Sequence, residues 1–223
     1  MTSFTTKQKE WQQQVEAAQD LKAQVGRPID EQTWQELVTD IKDKLQLTVP
    51  INRLLDLGCG NALILSELAS YAKELYGIDY ADAMITQAKK VLPDAHFQTG
   101  QADHLPFSDK TFSRLLCYSI FHYFPDQTYV IKAIEEMIRV TEKGGVILIG
   151  DLLDAEFEQA IKSGSNLDYE QKIPHIHRYS EWTFCDLVFL QNYFNDKVSK
   201  IEILEQPESF PLRHYRKDLR ITC

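Results

Sequence analysis

Cysteine is scarce in this 223-residue sequence, and the four cysteines stand far apart. Their spacing fits neither a disulfide framework nor a metal site, so we expect free thiols in a reducing compartment. Long apolar runs are missing too. No window approaches the roughly 18 apolar residues of a membrane span, and the opening MTSFTTKQKEWQQQ has no apolar core of signal-peptide length. A cytoplasmic protein is therefore expected. The cysteines are Cys59, Cys117, Cys185 and Cys223.

Basic residues are outnumbered, because 24 lysines and arginines face 33 acidic residues and the formal net charge is −9. The negative potential of an acidic chain would repel the phosphate backbone of a nucleic acid. We therefore expect a small-molecule partner and no nucleic acid. The sequence predicts no oligomeric state.

The length suits one sizeable α/β domain. After Pro50, short apolar runs alternate with helical stretches, which predicts a doubly wound, mostly parallel sheet. Two last strand candidates separated by QPESFP predict a C-terminal antiparallel hairpin in a seven-stranded sheet. Strands are predicted at 53–57, 74–78, 95–99, 112–118, 146–150, 197–205 and 216–222, and helices at 61–72, 82–91, 127–142 and 181–194.

Apolar residues at helical spacings precede the sheet. Those from Trp11 to Val25 predict one helix that stops at Gly26 and Pro28. Asp30 predicts the N-cap of a second helix, which runs to Leu45. We expect residues 1–49 to form a helical cap on a Rossmann-like domain of residues 50–223.

The stretch RLLDLGCGNALIL predicts a ligand-binding turn after the first strand. Gly58 and Gly60 permit a tight turn and close approach of a ligand. Asn61 and Ala62 are predicted to begin a helix whose free N–H groups suit an anion. A dinucleotide-binding G-x-G-x-x-G would need glycine where Leu63 stands. A nicotinamide cofactor is therefore disfavoured, and S-adenosylmethionine is the other candidate.

Asp56 lies inside the apolar strand that precedes this turn. An unpaired buried carboxylate would cost several kcal/mol. We therefore expect Asp56 to accept hydrogen bonds from backbone N–H groups of the glycine turn, or to order a water, rather than to bind a ligand.

Four stretches, in order, resemble the class I S-adenosylmethionine-dependent methyltransferases, in the small-molecule branch near the quinone methyltransferases (type 11 methyltransferase domain). LLDLGCGNA resembles their first motif and LYGIDYADAMITQAKK their second. GQADHLPFSDKTFSRLLCYSIFHYF is similar to the region from strand three to strand four, and VTEKGGVILIGD to the turn into strand five. The resemblance covers roughly residues 50–151.

The resemblance implies S-adenosylmethionine as cofactor and metal-independent, in-line transfer of its methyl group to the oxygen, nitrogen or carbon of a small metabolite. Asp79, about 20 residues after the first glycine, would bind the ribose. By the same resemblance, Gly58, Gly60 and Asn61 would surround the methionine part, Gln101 and Ala102 would meet the adenine edge with Asp103 just beyond, and the Tyr118 backbone would close the methionine side.

His122, in YSIFHYF, is the candidate general base because it follows strand four and an imidazole titrates near neutral pH. The alternative is a structural, hydrogen-bonded histidine at the start of a helix. Tyr123 could orient the acceptor. The resemblance also places a substrate lid at residues 151–180, whose aromatic and basic side chains could surround a polar or anionic molecule.

Two further patterns each have a functional and a structural interpretation. His175 and His177 would point to one face of a strand, but no third ligand stands at a supporting spacing, so no metal is predicted. The basic run RHYRKDLR favours a solvated strand edge over an anion site. Two other functions stay open: a nicotinamide oxidoreductase of the same fold, and a regulatory subunit that binds S-adenosylmethionine without turnover.

Overall fold

A seven-stranded sheet organises the computed structural model, which describes residues 4–18, 20–26 and 29–223. The strand order is β3-β2-β1-β4-β5-β7-β6. The first five strands run parallel, whereas β7 is antiparallel to both β5 and β6. The predicted fold class is confirmed. The strands are β1 Ile51–Leu57, β2 Ala72–Asp79, β3 His96–Thr99, β4 Phe112–Tyr118, β5 Thr141–Leu153, β6 Lys200–Glu205 and β7 Arg216–Thr222.

The central strands are buried on both faces, as parallel strands covered by helices must be. Leu115 and Leu116 of β4 alternate between the two faces, and both are fully buried. Helix α6 covers one face through Ile134 and Met137, and α3 contributes to the core on the other face through Leu37. The helices are α1 Phe4–Ala17, α2 Leu21–Gln24, α3 Glu31–Lys44, α4 Leu63–Glu67, α5 Asp82–Val91, α6 Gln127–Val140, α7 Glu158–Ser163, α8 Leu167–Glu170 and α9 Leu187–Phe194.

The first predicted helix is divided in two. Helix α1 ends at Ala17, and α2 begins after Asp20, whose carboxylate accepts a hydrogen bond from the Ala23 N–H at 3.0 Å. A short acidic side chain that binds the backbone in this way starts a new helix instead of continuing the old one. Pro28, one of the two predicted stops, lies outside the described residues.

The helix predicted at 61–72 is much shorter. Ala62 has a left-handed backbone, with φ +64°, so right-handed helix begins only at Leu63. Helix α4 ends at Glu67, a 3₁₀ turn follows at Ala69–Tyr71, and β2 already starts at Ala72. The first loop of the Rossmann-like unit is therefore compact.

The helix predicted at 181–194 begins later than expected. Cys185 is bridged to Asp154 in extended conformation, and the Asp186 carboxylate caps α9 by accepting the Phe189 N–H at 2.8 Å. Trp182 therefore lies in the connecting segment rather than on the helix. His175–His177 is a 3₁₀ turn and not a strand, so the two imidazoles do not share a strand face.

Candidate active site

A cavity of about 570 Å³ lies at the carboxyl ends of the central strands. The strand order reverses between β1 and β4, and the loops that follow these strands diverge there, which makes a crevice. All the sequence-predicted site residues except Asp103 line this cavity. Those that line it are Gly58, Gly60, Asn61, Asp79, Gln101, Ala102, Tyr118, His122 and Tyr123.

The two glycines of the first turn both have left-handed backbones, with φ +77° at Gly58 and +52° at Gly60. A Cβ on Gly58 would lie 2.6 Å from the Cγ2 atom of Ile120, and one on Gly60 would lie 3.0 Å from the Cγ1 atom of Val25. Both positions therefore require glycine on two grounds, backbone conformation and close packing by the chain's own side chains.

Asp79 holds the glycine turn against the end of β2. Its Oδ2 atom accepts the Gly60 N–H at 3.0 Å, and its Oδ1 atom accepts the Ala81 N–H at 2.9 Å. Burial raises the pKa of this carboxyl group to about 6, against the lowering effect of the backbone hydrogen bonds. The sequence offered Asp56 either this contact with the glycine turn or an ordered water, and the structure gives the contact with the Gly60 N–H to Asp79 instead.

Asp56 lies beside Asp79 at the base of the cavity and is only 3% exposed. Burial and the charge of Asp79 raise the pKa of Asp56 to about 8. Within the described chain, no group donates a hydrogen bond to its carboxylate. Two adjacent buried acids of this kind favour a ligand that brings positive charge into the cavity.

Asn61 connects the glycine turn to the N-terminal segment. Its Nδ2 atom donates to the Leu21 carbonyl at 2.9 Å and to the Gln24 Oε1 atom at 3.0 Å. The Asn61 Oδ1 atom accepts the Leu63 N–H at 3.2 Å. Through these hydrogen bonds the Asn61 side chain holds α2 over the glycine turn.

Helix α1 is held over the same region by polar side chains. Lys7, only 6% exposed, donates from Nζ to the Tyr123 carbonyl at 3.0 Å, and Gln8 donates to the Tyr80 carbonyl at 2.6 Å. Burial lowers the pKa of Lys7. The Trp11 ring meets Tyr123 edge-on at 5.7 Å. These polar anchors were not predicted from the sequence, because the apolar spacing of α1 indicates only its buried face.

The loop after β3 forms another wall. Gly100, Gln101 and Ala102 line the cavity, and Gln101 bridges to His104. Asp103 is absent from the described lining. It interacts instead with the hydroxyl of Tyr129, whose pKa is raised by burial and then by the Asp103 charge.

His122 and Tyr123 lie in the 3₁₀ turn Phe121–Tyr123, which follows β4. His122 is 2% exposed, and its ring centroid is 4.0 Å from that of Tyr123 and 4.6 Å from that of Trp182. Trp182 comes from the segment before α9, so three aromatic rings from two parts of the chain meet at the cavity wall.

A second polar cluster lies across the cavity. Arg216 donates from Nη1 to the Asp151 Oδ2 atom at 2.5 Å, and the Ser119 hydroxyl donates to the same oxygen at 2.5 Å. The expected solvated edge is wrong for Arg216, because β7 lies between β5 and β6 and is an inner strand. No local sequence signal marks Arg216; its burial follows from the strand order.

Two properties of the described residues concern metal binding and membrane spanning. No group of three or more histidine, cysteine, aspartate or glutamate side chains is arranged to hold a metal ion in the described part of the chain. Among the helices of residues 4–18, 20–26 and 29–223, none has the length and apolar character needed to cross a membrane.

Comparison with known proteins identifies a matching family over part of the chain. Residues 55–149 match the sequence profile of a family described as a methyltransferase domain. This range is less than half of the 223 residues, and it is similar to the class I S-adenosylmethionine-dependent methyltransferases. S-adenosylmethionine is the cofactor of this family. Neither a nicotinamide oxidoreductase nor a non-catalytic subunit gains support from the comparisons.

Two relatives show how far the sequence match extends. The uncharacterized methyltransferase YcgJ of Bacillus subtilis (strain 168) is 32% identical over 105 residues, which are 45% of this chain and 40% of that protein. The demethylmenaquinone methyltransferase of Beutenbergia cavernae is 28% identical over 103 residues, 46% and 41% of the two chains. The match thus spans about two fifths of each relative.

A solved structure shows the same fold over almost the whole chain. The N-methyltransferase NodS of Bradyrhizobium japonicum WM9, in complex with S-adenosyl-L-homocysteine, has a TM-score of 0.72 and 14% identity. The superposition covers 97% of this chain and 98% of NodS. At this identity the likeness establishes the shared architecture.

Proposed function

We propose that this methyltransferase transfers the methyl group of S-adenosylmethionine to a small metabolite by in-line displacement. The observation that carries the proposal is the pair of buried acids, Asp56 and Asp79, beside the glycine turn in a cavity of about 570 Å³. The cofactor carries a sulfonium and an ammonium group, and a positive charge beside these acids favours their ionised form. When bound, it supplies an electrophilic methyl group.

The residues at the glycine turn fit the ribose and methionine parts of this cofactor. The Asp79 carboxylate accepts backbone hydrogen bonds from Gly60, Tyr80 and Ala81. A carboxylate has about four acceptor sites, so it can also accept a hydrogen bond from a ribose hydroxyl. Gly58 and Gly60 present backbone rather than side chain to the cavity, and Asn61 anchors the covering segment. We propose Gln101 and Ala102, with Asp103 beyond them, on the adenine side, and the Tyr118 backbone beside the methionine.

The catalytic roles are proposed from position. His122 lines the cavity directly after β4 and faces the aromatic wall, where an imidazole can remove a proton from an acceptor hydroxyl. Tyr123, whose carbonyl is held by Lys7, is proposed to orient the acceptor. The protein's other task is to hold the acceptor atom in line with the methyl group and to exclude water.

The wider assignments follow the same proposal. Residues 1–49 are the helical cap and residues 151–180 the lid of a Rossmann-like domain of residues 50–223. We propose a cytoplasmic enzyme, in line with the four free cysteines of the described chain. We also propose a small-molecule acceptor, no nucleic-acid partner and a metal-independent reaction.

Parallel calorimetric titrations with S-adenosylhomocysteine and NADH test the proposal. We expect binding of S-adenosylhomocysteine and none of NADH. Binding of NADH alone would overturn the cofactor assignment. A second step follows slow turnover of S-adenosylmethionine against pools of oxygen, nitrogen and carbon acceptors, and binding without turnover on any of them would favour a regulatory subunit.

A further inference from the structure

Arg216 is the one lysine or arginine among the described residues that line the cavity. Its side chain is 8% exposed, its guanidinium carbon lies 5.6 Å from the centre of the Trp182 ring, and Asp151 binds its Nη1 atom. Burial acts to lower the pKa of Arg216, but the charges and hydrogen bonds of Asp151 and Tyr215 together raise it above its ordinary value. The ion pair of Arg216 with Asp151 therefore lies on the cavity wall, where Asp151 partly neutralises the guanidinium charge.

The Nε–H group of Arg216 is buried and has no hydrogen-bond acceptor among the described residues. Buried polar groups in native proteins nearly always have a hydrogen-bond partner. A guanidinium offers five N–H donors in a planar fork that suits two oxygens of one anion. The free donor beside the cavity therefore points to an oxygen that a ligand brings.

The backbone that carries this cluster is strained. Ser119 and Asp151 both have left-handed conformations, with φ +62° and +64°, and the Ser119 N–H donates to the Gly150 carbonyl at 3.0 Å. The pairing of β5 with β7 shifts register between Ile149 and Leu152. Strained non-glycine residues persist where the surroundings fix them, and they cluster at functional sites.

A second layer of buried groups fixes the cluster. Asp218 of β7 accepts the Asp151 N–H at 2.8 Å, the Gln206 amide at 3.0 Å and the Lys44 ammonium at 2.6 Å. These contacts bring α3, β5 and β7 together behind Arg216. The guanidinium is thus held in one position before any ligand binds.

We propose that Arg216 determines acceptor specificity by binding an anionic oxygen, a carboxylate or ionised hydroxyl, on an aromatic methyl acceptor. The proposal rests on the methyltransferase function proposed above. Asp56 and Asp79 lie on β1 and β2, whereas Arg216 lies on β7, beyond β4 and β5. The donors of Arg216 are therefore separated from the acids that are proposed to face the cofactor. The aromatic ring would pack against Trp182 and Tyr179, whose ring centroids are 4.2 Å apart.

The test compares an aromatic acid with its neutral amide on the protein saturated with S-adenosylhomocysteine. In calorimetry, 4-hydroxybenzoate should bind at least about tenfold more tightly than 4-hydroxybenzamide, because a charge-assisted hydrogen bond is lost in the amide. Arg216→Gln should abolish this preference and leave the affinity for S-adenosylhomocysteine unchanged. Arg220→Gln is the matched control, since Arg220 lies on the same strand and pairs with Glu202 on β6.

Asp151→Asn provides a second, independent variant. Asparagine tolerates the left-handed backbone, and the change removes the charge that partly neutralises Arg216. The preference for the acid should rise several-fold. A pair that only supports the fold would lose thermal stability in this variant with no change in the ratio of acid to amide affinity.

Three results would overturn the role of Arg216: equal affinity for acid and amide in the wild type, no binding of the acid up to its solubility limit, or a preference that survives Arg216→Gln. Absence of S-adenosylhomocysteine binding in the wild type would instead contradict the proposed function. The two failures are therefore separable within one set of titrations.

Discussion

The Gly60 N–H and the Asp79 carboxylate are joined by a hydrogen bond of 3.0 Å between two neighbouring strand ends. The acid at the end of β2 therefore shapes the turn after β1 and also faces the cavity. Asp79→Asn should weaken binding of S-adenosylhomocysteine by roughly tenfold to a hundredfold, about 1 to 3 kcal/mol, through lost charge-assisted hydrogen bonds. Isothermal titration calorimetry measures this change.

Asp82→Asn is the control for that experiment. Asp82 follows shortly after Asp79, is exposed, and pairs with the Thr99 hydroxyl at 2.5 Å. Its substitution should leave cofactor affinity within about twofold. If both variants bind as the wild type does, Asp79 does not contact the cofactor.

The two buried acids predict a stability that falls with rising pH. Their pKa values in the folded protein are about 8 for Asp56 and about 6 for Asp79, above the ordinary value near 4. The folded state therefore holds protons that the unfolded state has released. This contribution is complete below about pH 4 and is lost as pH rises through 6 and 8. Urea unfolding of the ligand-free protein between pH 5 and about 8.5 measures it.

Asp56→Asn separates the two acids in that measurement. The amide is neutral at every pH, so the variant should lose the decline between about pH 6 and 8, where Asp79 is already ionised, and part of the decline below pH 6. An unchanged decline in Asp56→Asn would show that Asp56 does not titrate in this range.

Gly58→Ala tests the close packing of the first turn. The new Cβ would meet Ile120 at 2.6 Å in addition to the backbone strain of φ +77°. Gly144 has the same φ, but an added Cβ there meets nothing within 4 Å. Gly58→Ala should therefore lower the free energy of unfolding by about 1 to 3 kcal/mol more than Gly144→Ala does. Equal losses in urea titrations would mean that Ile120 moves aside without cost.

His122→Ala should separate turnover from cofactor binding. A general base contributes about a hundredfold to ten-thousandfold to the rate, so kcat should fall by at least a hundredfold with a hydroxyl acceptor. The dissociation constant of S-adenosylhomocysteine should stay within about threefold. His104→Ala, which changes an exposed histidine, is the control. Full turnover in His122→Ala would show that this histidine is not the general base and has a structural role.

The N-terminal helix is expected to hold the segment around residue 176. The Glu10 carboxylate accepts the N–H groups of His175 and Ile176 at 3.0 and 3.1 Å. Glu10→Ala should speed hydrogen exchange at these two amides by at least about tenfold, because their acceptor is lost. Glu16→Ala removes a carboxylate that, among the described residues, accepts a hydrogen bond from Gln12 on the same helix, and it should leave both rates unchanged. Unchanged exchange in Glu10→Ala would contradict the connection.

Local patterns were sufficient for much of the fold. Strand β4 at 112–118 and helix α5 at 82–91 have the bounds that their apolar patterns predict. The glycine turn and Asp79 meet because one βαβ step brings consecutive strand ends together. These features depend on residues that are close in sequence or one structural unit apart.

Other features depend on contacts that no local pattern records. Arg216 is buried because β7 inserts between β5 and β6, and strand order is a property of the whole sheet. Glu10 meets residues 175 and 176 from the far end of the chain. The left-handed backbone of Ala62 is a further case, since alanine favours right-handed helix and only the surrounding turn imposes the other conformation.

The placement of Arg216 on β7 has a consequence for synthesis on the ribosome. Every residue proposed to contact the nucleoside or the methionine lies before residue 124, whereas the guanidinium is translated long after them. The turns proposed to hold the nucleoside are therefore synthesised before the opposite wall of the cavity. Under the proposed role of Arg216, selectivity for the methyl acceptor would be acquired only when the C-terminal hairpin pairs with β5.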